Sequence, residues 1–205
     1  MEKLTDLFPA LTDSQKARYE AMEELYRTWN ARINVISRKD MDNLLTHHIL
    51  HSMAIAKVID FPAGSTVLDV GTGGGFPGIP LAVLFPEVRF TLCDSIGKKV
   101  KVAQAVAEGL SLENVTCVQA RAESLPGRFD YVVSRAVTDL ATFYPWVRDK
   151  FNRAIFYLKG GQLEAEIADC ARRCRIDPQK FFQVQISNWF RDPWFEGKKI
   201  VIISK

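Results

Sequence analysis

Residues 66–78 read TVLDVGTGGGFPG, and the architecture predicted for the chain is built around them. The apolar run at 67–70 is typical of a strand that is buried on both faces, with Asp69 as the one polar member. Four glycines follow within positions 71–75, and residues without a Cβ let a ligand come close to the backbone. Pro80 suits the first turn of a helix. We therefore predict a strand, a nucleotide-binding loop and a helix, in preference to a tight turn that uses glycine for packing alone.

The spacing of the glycines bears on which nucleotide binds. A G-x-G-x-x-G pattern begins at Gly73, and Asp94 lies 21 residues beyond it, as expected of a dinucleotide-binding fold. The first glycine of that fingerprint should turn the chain directly after the strand, and that residue here is Gly71, with Phe76 instead of glycine in the sixth place. A P-loop is excluded because no lysine follows Gly78. An NAD-dependent oxidoreductase is therefore only an alternative.

The glycine loop resembles the first motif of class I S-adenosylmethionine-dependent methyltransferases, which reads acidic-x-Gly-x-Gly-x-Gly and falls on residues 69–75 here. The longer string DVGTGGGFPGIPLA, residues 69–82, is similar to the RsmG (GidB) family, which methylates N7 of a guanine in 16S ribosomal RNA. WNARINVIS, residues 29–37, and HHILHS, residues 47–52, resemble the helical N-terminal extension of the same family. His51 stands where that family usually has Asp, so no role is carried over to this position.

The N-terminal part of the chain is predicted to be helical. Thr12 and Gln15 have the spacing of a capping box, and apolar residues then recur at helical intervals over about 14–29. A second helix is expected over about 40–59, capped by the aspartates at its start. Residues 1–60 should therefore form a helical N-terminal extension.

The remainder alternates between strand and helix patterns. Strands are predicted at 67–70, 88–93, 115–118, 129–133, 154–158, 182–186 and 200–203. They predict an α/β fold with a doubly wound, mostly parallel seven-stranded sheet of the Rossmann-like class I methyltransferase type. The last two strands are expected to form an antiparallel C-terminal hairpin. We predict a single methyltransferase domain over residues 1–205, which includes the extension.

Composition narrows the class of protein. The chain has 205 residues, of which 47% are hydrophobic and 25% charged, as in ordinary globular proteins. Its net charge is only +3, so attraction for nucleic acid must come from local clusters. No secretory signal and no membrane-length apolar run is present, so we expect a cytoplasmic protein. The four cysteines suggest neither a disulfide nor a metal site.

Polar residues at predicted strand ends should lie along the ligand-binding edge of such a sheet. Asp94 is placed to accept hydrogen bonds from both ribose hydroxyls of a nucleoside, with helix capping as the alternative. The backbone of Ala122 and the side chain of Glu123 follow the third strand and should contact an adenine, unless Glu123 is a solvated loop acid. Lys159 leaves the fifth strand and should bind phosphate or guanine O6, with an exposed lysine as the alternative.

The end of the fourth strand bears on the chemistry. Ser134-Arg135-Ala136 matches the RsmG family, whereas the Pro-Pro-aromatic and Pro-Cys signatures of amino-group and pyrimidine-C5 methylases do not occur. Guanine N7 already offers a lone pair and loses no proton on attack. Catalysis would then rest on positioning and on exclusion of water, so we predict no general base and no other catalytic acid or base.

The resemblance also implies site residues and partners. It places S-adenosylmethionine contacts on Gly71, Phe76, Ala122, Glu123 and Arg135, to which the loop and ribose arguments add Gly73 and Asp94. The expected RNA-facing residues are Lys159, Arg135, His48 and Arg121, with support from Arg32 and Arg38. The three histidines at 47, 48 and 51 make a poor metal site, and a structural imidazole is the alternative for His48. The expected partner is ribosomal RNA within a ribosomal particle, bound by a monomer, with a non-catalytic RNA chaperone as a further alternative.

Overall fold

The computed structural model describes residues 4–205 and is built on a seven-stranded sheet. The strands are β1 (Thr66–Val70), β2 (Arg89–Asp94), β3 (Val115–Gln119), β4 (Phe129–Arg135), β5 (Phe151–Gly160), β6 (Phe181–Gln185) and β7 (Lys198–Ser204). Their spatial order is β3-β2-β1-β4-β5-β7-β6. Strands β1 to β5 are parallel, whereas β7 runs antiparallel to both β5 and β6. The predicted sheet and its C-terminal hairpin are confirmed.

Helices cover both faces of this sheet. They are α1 (Leu4–Leu7), α2 (Asp13–Asn30), α3 (His51–Met53), α4 (Gly78–Leu84), α5 (Gly97–Gly109), α6 (Leu140–Val147) and α7 (Glu164–Cys174). The extension packs with α4 and α5 on one face, and α6 and α7 pack on the other. Because side chains alternate along a strand, Val67 enters the first core whereas Leu68 and Val70 enter the second. Asp69 therefore points to the face that carries α4 and the extension.

The extension is helical, but its second half differs from the prediction. The capping box of Thr12 and Gln15 is formed, and α2 follows it directly. In place of one regular helix, the chain forms a 3₁₀-helix at Arg38–Asn43, a π-helix at Leu44–Leu50, the short α3 and a 3₁₀-helix at Ala54–Lys57. The predicted capping by aspartates is wrong, because the carboxylate of Asp40 bonds instead to the imidazoles of His47 and His48.

Helix α6 continues through Pro145. Proline has no N–H and so leaves the carbonyl four residues earlier, at Ala141, without its helical donor. The thiol of Cys174 on α7 lies 3.7 Å from that carbonyl oxygen and donates to it. A side chain from the neighbouring helix thus compensates for the proline. Within residues 4–205, no helix combines the length and the apolar character that crossing a bilayer requires.

Candidate functional site

A cavity of about 550 Å³ opens at the carboxyl ends of β1 to β4. It is lined by Val70, Gly71, Cys93, Asp94, Ser95, Ile96, Lys99, Ala120, Arg121, Ala122, Glu123, Arg135, Ala136, Val137 and Trp146. The strand order reverses between β1 and β4, and open α/β sheets bind ligands at such a switch point. The volume lies within the range of small-molecule sites, about 300–1,000 Å³.

The buried side chain of Asp69 holds the glycine loop through hydrogen bonds. One oxygen of this fully buried carboxyl group, Oδ2, accepts from the Thr72 hydroxyl at 2.6 Å and from the Gly78 backbone N–H at 2.8 Å. Burial raises the pKa of Asp69 to about 7. Its other oxygen has no hydrogen-bond partner among the described residues. The polar residue in the buried strand therefore ties the start of the loop to the start of α4, and it does not line the cavity.

Asp94 joins the glycine loop to the end of β2. Its Oδ2 accepts from the Gly73 N–H at 3.0 Å, and its Oδ1 accepts from the Ile96 N–H at 2.8 Å. The N-cap residue of α5 is Ile96 and no side chain caps this helix, so the alternative of helix capping by Asp94 is wrong. A carboxylate has lone pairs beyond these two bonds, and Asp94 lines the cavity. It is thus able to accept hydrogen bonds from a ligand without breaking those to the loop.

Part of the cavity lining is apolar. Ala122 and Glu123 lie in a 3₁₀-helix at Ala122–Ser124, shortly after β3, and both line the cavity; their contact with an adenine stays a prediction. Ile96 and Val137, which also line it, are large hydrophobic side chains left 41% and 36% exposed. The sequence reasoning missed these two residues. An apolar residue two positions after the strand-end Asp94 was the available signal for Ile96.

Arg135 is the last residue of β4 and lines the cavity. Its guanidinium group donates to the backbone carbonyl of His47 at 3.1 Å and to Nδ1 of His48 at 2.9 Å. It also lies 5.0 Å from the centre of the Phe76 ring. Burial lowers its pKa to about 10, so it stays charged at neutral pH. No carboxylate in residues 4–205 forms an ion pair with it, although Asp69 acts on it at longer range.

His48 connects Arg135 to Asp40. Its Nε2 lies 2.7 Å from Oδ2 of Asp40, and its Nδ1 accepts from Arg135. Because arginine only donates, the ring proton must be on Nε2. Burial, with help from the charge of Arg135, lowers the pKa of His48 to about 4, so the ring is neutral. His48 is buried and does not line the cavity, which fits the alternative of a structural imidazole.

Two further predicted cofactor residues do not line the cavity, and neither does Lys159. Gly73 acts through its N–H bond to Asp94. Phe76 is buried, and its ring stacks on Tyr26 at 4.7 Å between centroids. Gly73 and Phe76 thus contact two residues that line the cavity, Asp94 and Arg135 respectively. The direct contact of Gly73 and Phe76 with cofactor stays a prediction.

Lys159 and Tyr157, two residues apart on β5, hold the loop that follows β4. The Lys159 ammonium group pairs with Glu166 and donates to the Thr138 carbonyl at 2.9 Å. The Tyr157 hydroxyl accepts from the N–H groups of Val137 and Thr138. The side chain of Lys159 is only 11% exposed, so the alternative of an exposed lysine is wrong. Its predicted contact with RNA stays a prediction, and it would require this ion pair to open.

Other reactive groups near the cavity are few. Cys93 lines it, but burial raises the pKa of the thiol to about 12, so the nucleophilic thiolate is not formed at neutral pH. Among residues 4–205, no group of three His, Cys, Asp or Glu side chains is arranged to hold a metal ion. The arrangement is suited to binding a nucleoside and an anion.

Comparison with known proteins adds to this geometry. A family model described as rRNA small subunit methyltransferase G (GidB) matches residues 15–189. A ribosomal RNA small subunit methyltransferase G of Flavobacterium psychrophilum is 53% identical over 98% of this chain and 96% of its own. The corresponding protein of Parabacteroides distasonis is 48% identical over 98% of this chain and 87% of its own.

Solved structures agree on the fold. Magnesium protoporphyrin IX methyltransferase from Synechocystis, with bound SAM, has a TM-score of 0.61 at 16% identity and covers 96% of this chain and 99% of its own. A SAM-dependent methyltransferase from Aquifex aeolicus has a TM-score of 0.58 at 15% identity, with 82% and 98% covered. At such low identity these likenesses concern the architecture alone.

Proposed function

The chain belongs to the rRNA small subunit methyltransferase G family, and from that membership we propose that it uses S-adenosylmethionine to methylate N7 of a guanine in 16S ribosomal RNA. One observation carries this function. The cavity at the switch point of the sheet joins a glycine loop, a strand-end carboxylate and a partly buried arginine. That set matches a ligand with a ribose, a flat base and a charged amino-acid end.

Different residues of the cavity lining contact different parts of such a ligand. Asp94 accepts hydrogen bonds from the ribose hydroxyls. It lies beside Gly71, where the absence of a Cβ lets the ligand come close to the backbone. The base lies against Ile96, whose exposed apolar side chain a flat ring would cover, and next to Ala122 and Glu123. Arg135, a partly buried cation without a carboxylate partner in residues 4–205, binds the cofactor carboxylate. Bound S-adenosylmethionine supplies the methyl group on a sulfonium sulfur.

The chain's own contribution to methyl transfer is then positioning. Guanine N7 has a free lone pair, so no residue needs to remove a proton. The loop after β4, held by Tyr157 and Lys159, lines one part of the cavity with Ala136 and Val137, which would shield the reacting atoms from water once cofactor and RNA are bound. Good alignment of two reactants contributes about 7–11 kcal/mol in favourable cases, which is enough for a reaction with a ready nucleophile.

RNA is expected at the mouth of the cavity. Arg121 lines it with its side chain 78% exposed, and its long, exposed ion pair with Glu123, at 3.9 Å, would open to let it bind a phosphate group. We propose that the chain works as a monomer in the cytoplasm on RNA within a ribosomal particle. Because the net charge is only +3, a structured particle would supply contacts that a charge cluster alone does not.

A methyl-transfer assay tests this function. Small subunits from cells that lack the protein are incubated with it and tritiated S-adenosylmethionine, and the RNA is then cleaved with borohydride and aniline. We expect label in 16S ribosomal RNA and one new cleavage site, which is the signature of a 7-methylguanine. Naked RNA and assembled subunits are compared in parallel to identify the substrate.

The controls separate the alternatives. An Asp94→Ala protein that is shown to be folded should transfer little label at the same cofactor concentration. A non-catalytic RNA chaperone would bind the subunits and transfer none, and an NAD-dependent enzyme would bind nicotinamide cofactor instead. Label without a borohydride-sensitive site would point to methylation at an atom other than N7.

A further inference from the structure

The surroundings of Arg135 are unusual for a partly buried cation. Its guanidinium group is bonded to a backbone carbonyl and an imidazole nitrogen, and no carboxylate in residues 4–205 pairs with it. Arginine has more N–H donors than these two bonds use, and Arg135 lines the cavity. The two bonds to the extension therefore fix the orientation of the Arg135 side chain, and its remaining N–H donors can bind a ligand in the cavity.

The side-chain acceptor for this arginine is Nδ1 of His48. It can accept only when the ring is neutral and its proton is on Nε2. Asp40 favours that tautomer, because its Oδ2 lies 2.7 Å from Nε2. The second oxygen of Asp40, Oδ1, is bonded to Nδ1 of His47 at 2.5 Å, so the carboxylate is fixed at both oxygens. His47 in turn stacks on Trp194 at 4.1 Å between centroids.

These contacts form one chain of hydrogen bonds from the extension to the cavity. It runs from Asp40 in a 3₁₀-helix, through His48 in the π-helix, to Arg135 at the end of β4. His48 and Arg135 are 87 residues apart in sequence. This chain fixes side-chain orientation because its middle member, His48, is buried, so that each broken bond would leave a buried ring nitrogen unpaired; Asp40 at its outer end is 31% exposed.

We propose that Asp40 and His48 are positioning residues. Asp40 holds His48 in the tautomer with its proton on Nε2, and His48 in turn holds Arg135 in the orientation that binds the cofactor carboxylate. This inference rests on the proposed function, which puts S-adenosylmethionine in the cavity. His48 then acts through Arg135 and touches neither cofactor nor RNA. The extension becomes part of the cofactor site by this route.

Two variants of His48 test the contacts of its two ring nitrogens one at a time. In His48→Asn, the amide oxygen falls near the position of Nδ1 and still accepts from Arg135. In His48→Gln, the amide group falls near Nε2 and keeps the contact with Asp40, but the acceptor for Arg135 is lost. Both variants lose the ring contact with Phe76, 5.2 Å between centroids, so that loss cancels in the comparison.

Calorimetry with S-adenosylmethionine gives the first readout. We expect the affinity of His48→Asn to stay within about threefold of the wild type, and that of His48→Gln to fall by roughly tenfold or more. In methyl-transfer assays, His48→Gln should raise the KM for the cofactor more than it lowers kcat. His51→Asn is the matched control, since it removes an equally buried imidazole that contacts Trp194 and Phe195. Its effect should be on stability and not on affinity.

The outcomes distinguish this inference from the proposed function. A wild type that does not bind S-adenosylmethionine would refute the function itself. A wild type that binds, with equal affinities for the Asn and Gln variants, would refute the positioning role. If either variant fails to fold, long-range nitrogen NMR of the wild type decides, because it reports the tautomer of His48 directly. A proton on Nδ1 near neutral pH would contradict the proposed chain.

Discussion

Asp94 has a double task, because its carboxylate holds the glycine loop and faces the ligand cavity. Hydrogen bonds to a charged group are worth about 1.5–3 kcal/mol, so Asp94→Ala should weaken S-adenosylmethionine binding by roughly 10- to 150-fold. Calorimetry measures the affinity, and urea unfolding checks that the variant is folded. Unchanged affinity in a folded variant would remove Asp94 from the cofactor site.

Arg121 and Lys159 were both expected to face RNA, but their side chains differ in exposure, 78% against 11%. We expect Arg121→Ala to flatten the slope of log affinity for RNA against log salt by about 0.7–0.9, the value for one phosphate contact. Because Lys159 is paired with Glu166, we expect Lys159→Ala to leave that slope unchanged and to slow transfer through the loop after β4. Binding assays over a range of salt concentrations measure both variants. A flatter slope in Lys159→Ala would establish direct contact with phosphate.

His48 should make stability depend on pH. Burial, with help from Arg135, lowers its pKa to about 4, against about 6.5 in an unfolded chain. The unfolded chain binds more protons between these values, so stability is complete above about pH 6.5 and is lost as pH falls toward 4. From about pH 7 to about pH 5, the free energy of unfolding should drop by about 2 kcal/mol more in the wild type than in His48→Asn. Urea titrations at both pH values give the comparison, and equal drops would contradict the neutral, buried ring.

At the scale of elements, the glycine loop is constrained both by its backbone and by its neighbours. Gly75 has a φ of +111°, and a Cβ there would lie 2.3 Å from the Ile79 side chain. Gly64, in the linker before β1, has a φ of +78° and no atom near its missing Cβ. Gly75→Ala should therefore lower the free energy of unfolding by more than about 2 kcal/mol, through strain and overpacking together.

Gly64→Ala is the matched control for this loop, and strain alone should lower its free energy of unfolding by about 1–2 kcal/mol. Both variants are compared with the wild type by urea unfolding. Similar losses for the two would mean that the crowding around Gly75 relaxes easily, and that the loop is less rigid than its packing indicates.

At the scale of the whole molecule, the extension and the sheet share one core. Met22, Tyr26 and Met53 from the extension are fully buried in the same cluster as Val67 and Phe90 from the sheet. Each such side chain contributes about 1.5–3 kcal/mol, so the loss of several exceeds a usual stability of about 5–15 kcal/mol. We expect a chain of residues 61–205 alone not to fold. Near-ultraviolet circular dichroism and urea unfolding check this, and a cooperative transition in the shortened chain would make the extension a separate unit.

Local patterns determined much of this protein. The apolar run, the glycines and the helix of residues 66–84 could be read from the sequence, because strand, turn and helix preferences act between near neighbours. The capping box at Thr12 and the position of Asp94 at the end of a strand were predictable for the same reason. Family resemblance then indicated the cofactor and the reaction.

Tertiary structure alone decided the partners of the polar side chains. Nothing local to Arg135 indicates that it bonds to His47 and His48, since these residues lie 88 and 87 positions away. The π-helix that presents the two imidazoles to Asp40 also departs from the regular helix that the sequence favoured. Lys159 was expected to face solvent or RNA, and it pairs with Glu166 because α7 folds back beside the end of β5. Such contacts depend on how distant elements pack, and a pattern of near neighbours carries no information about that.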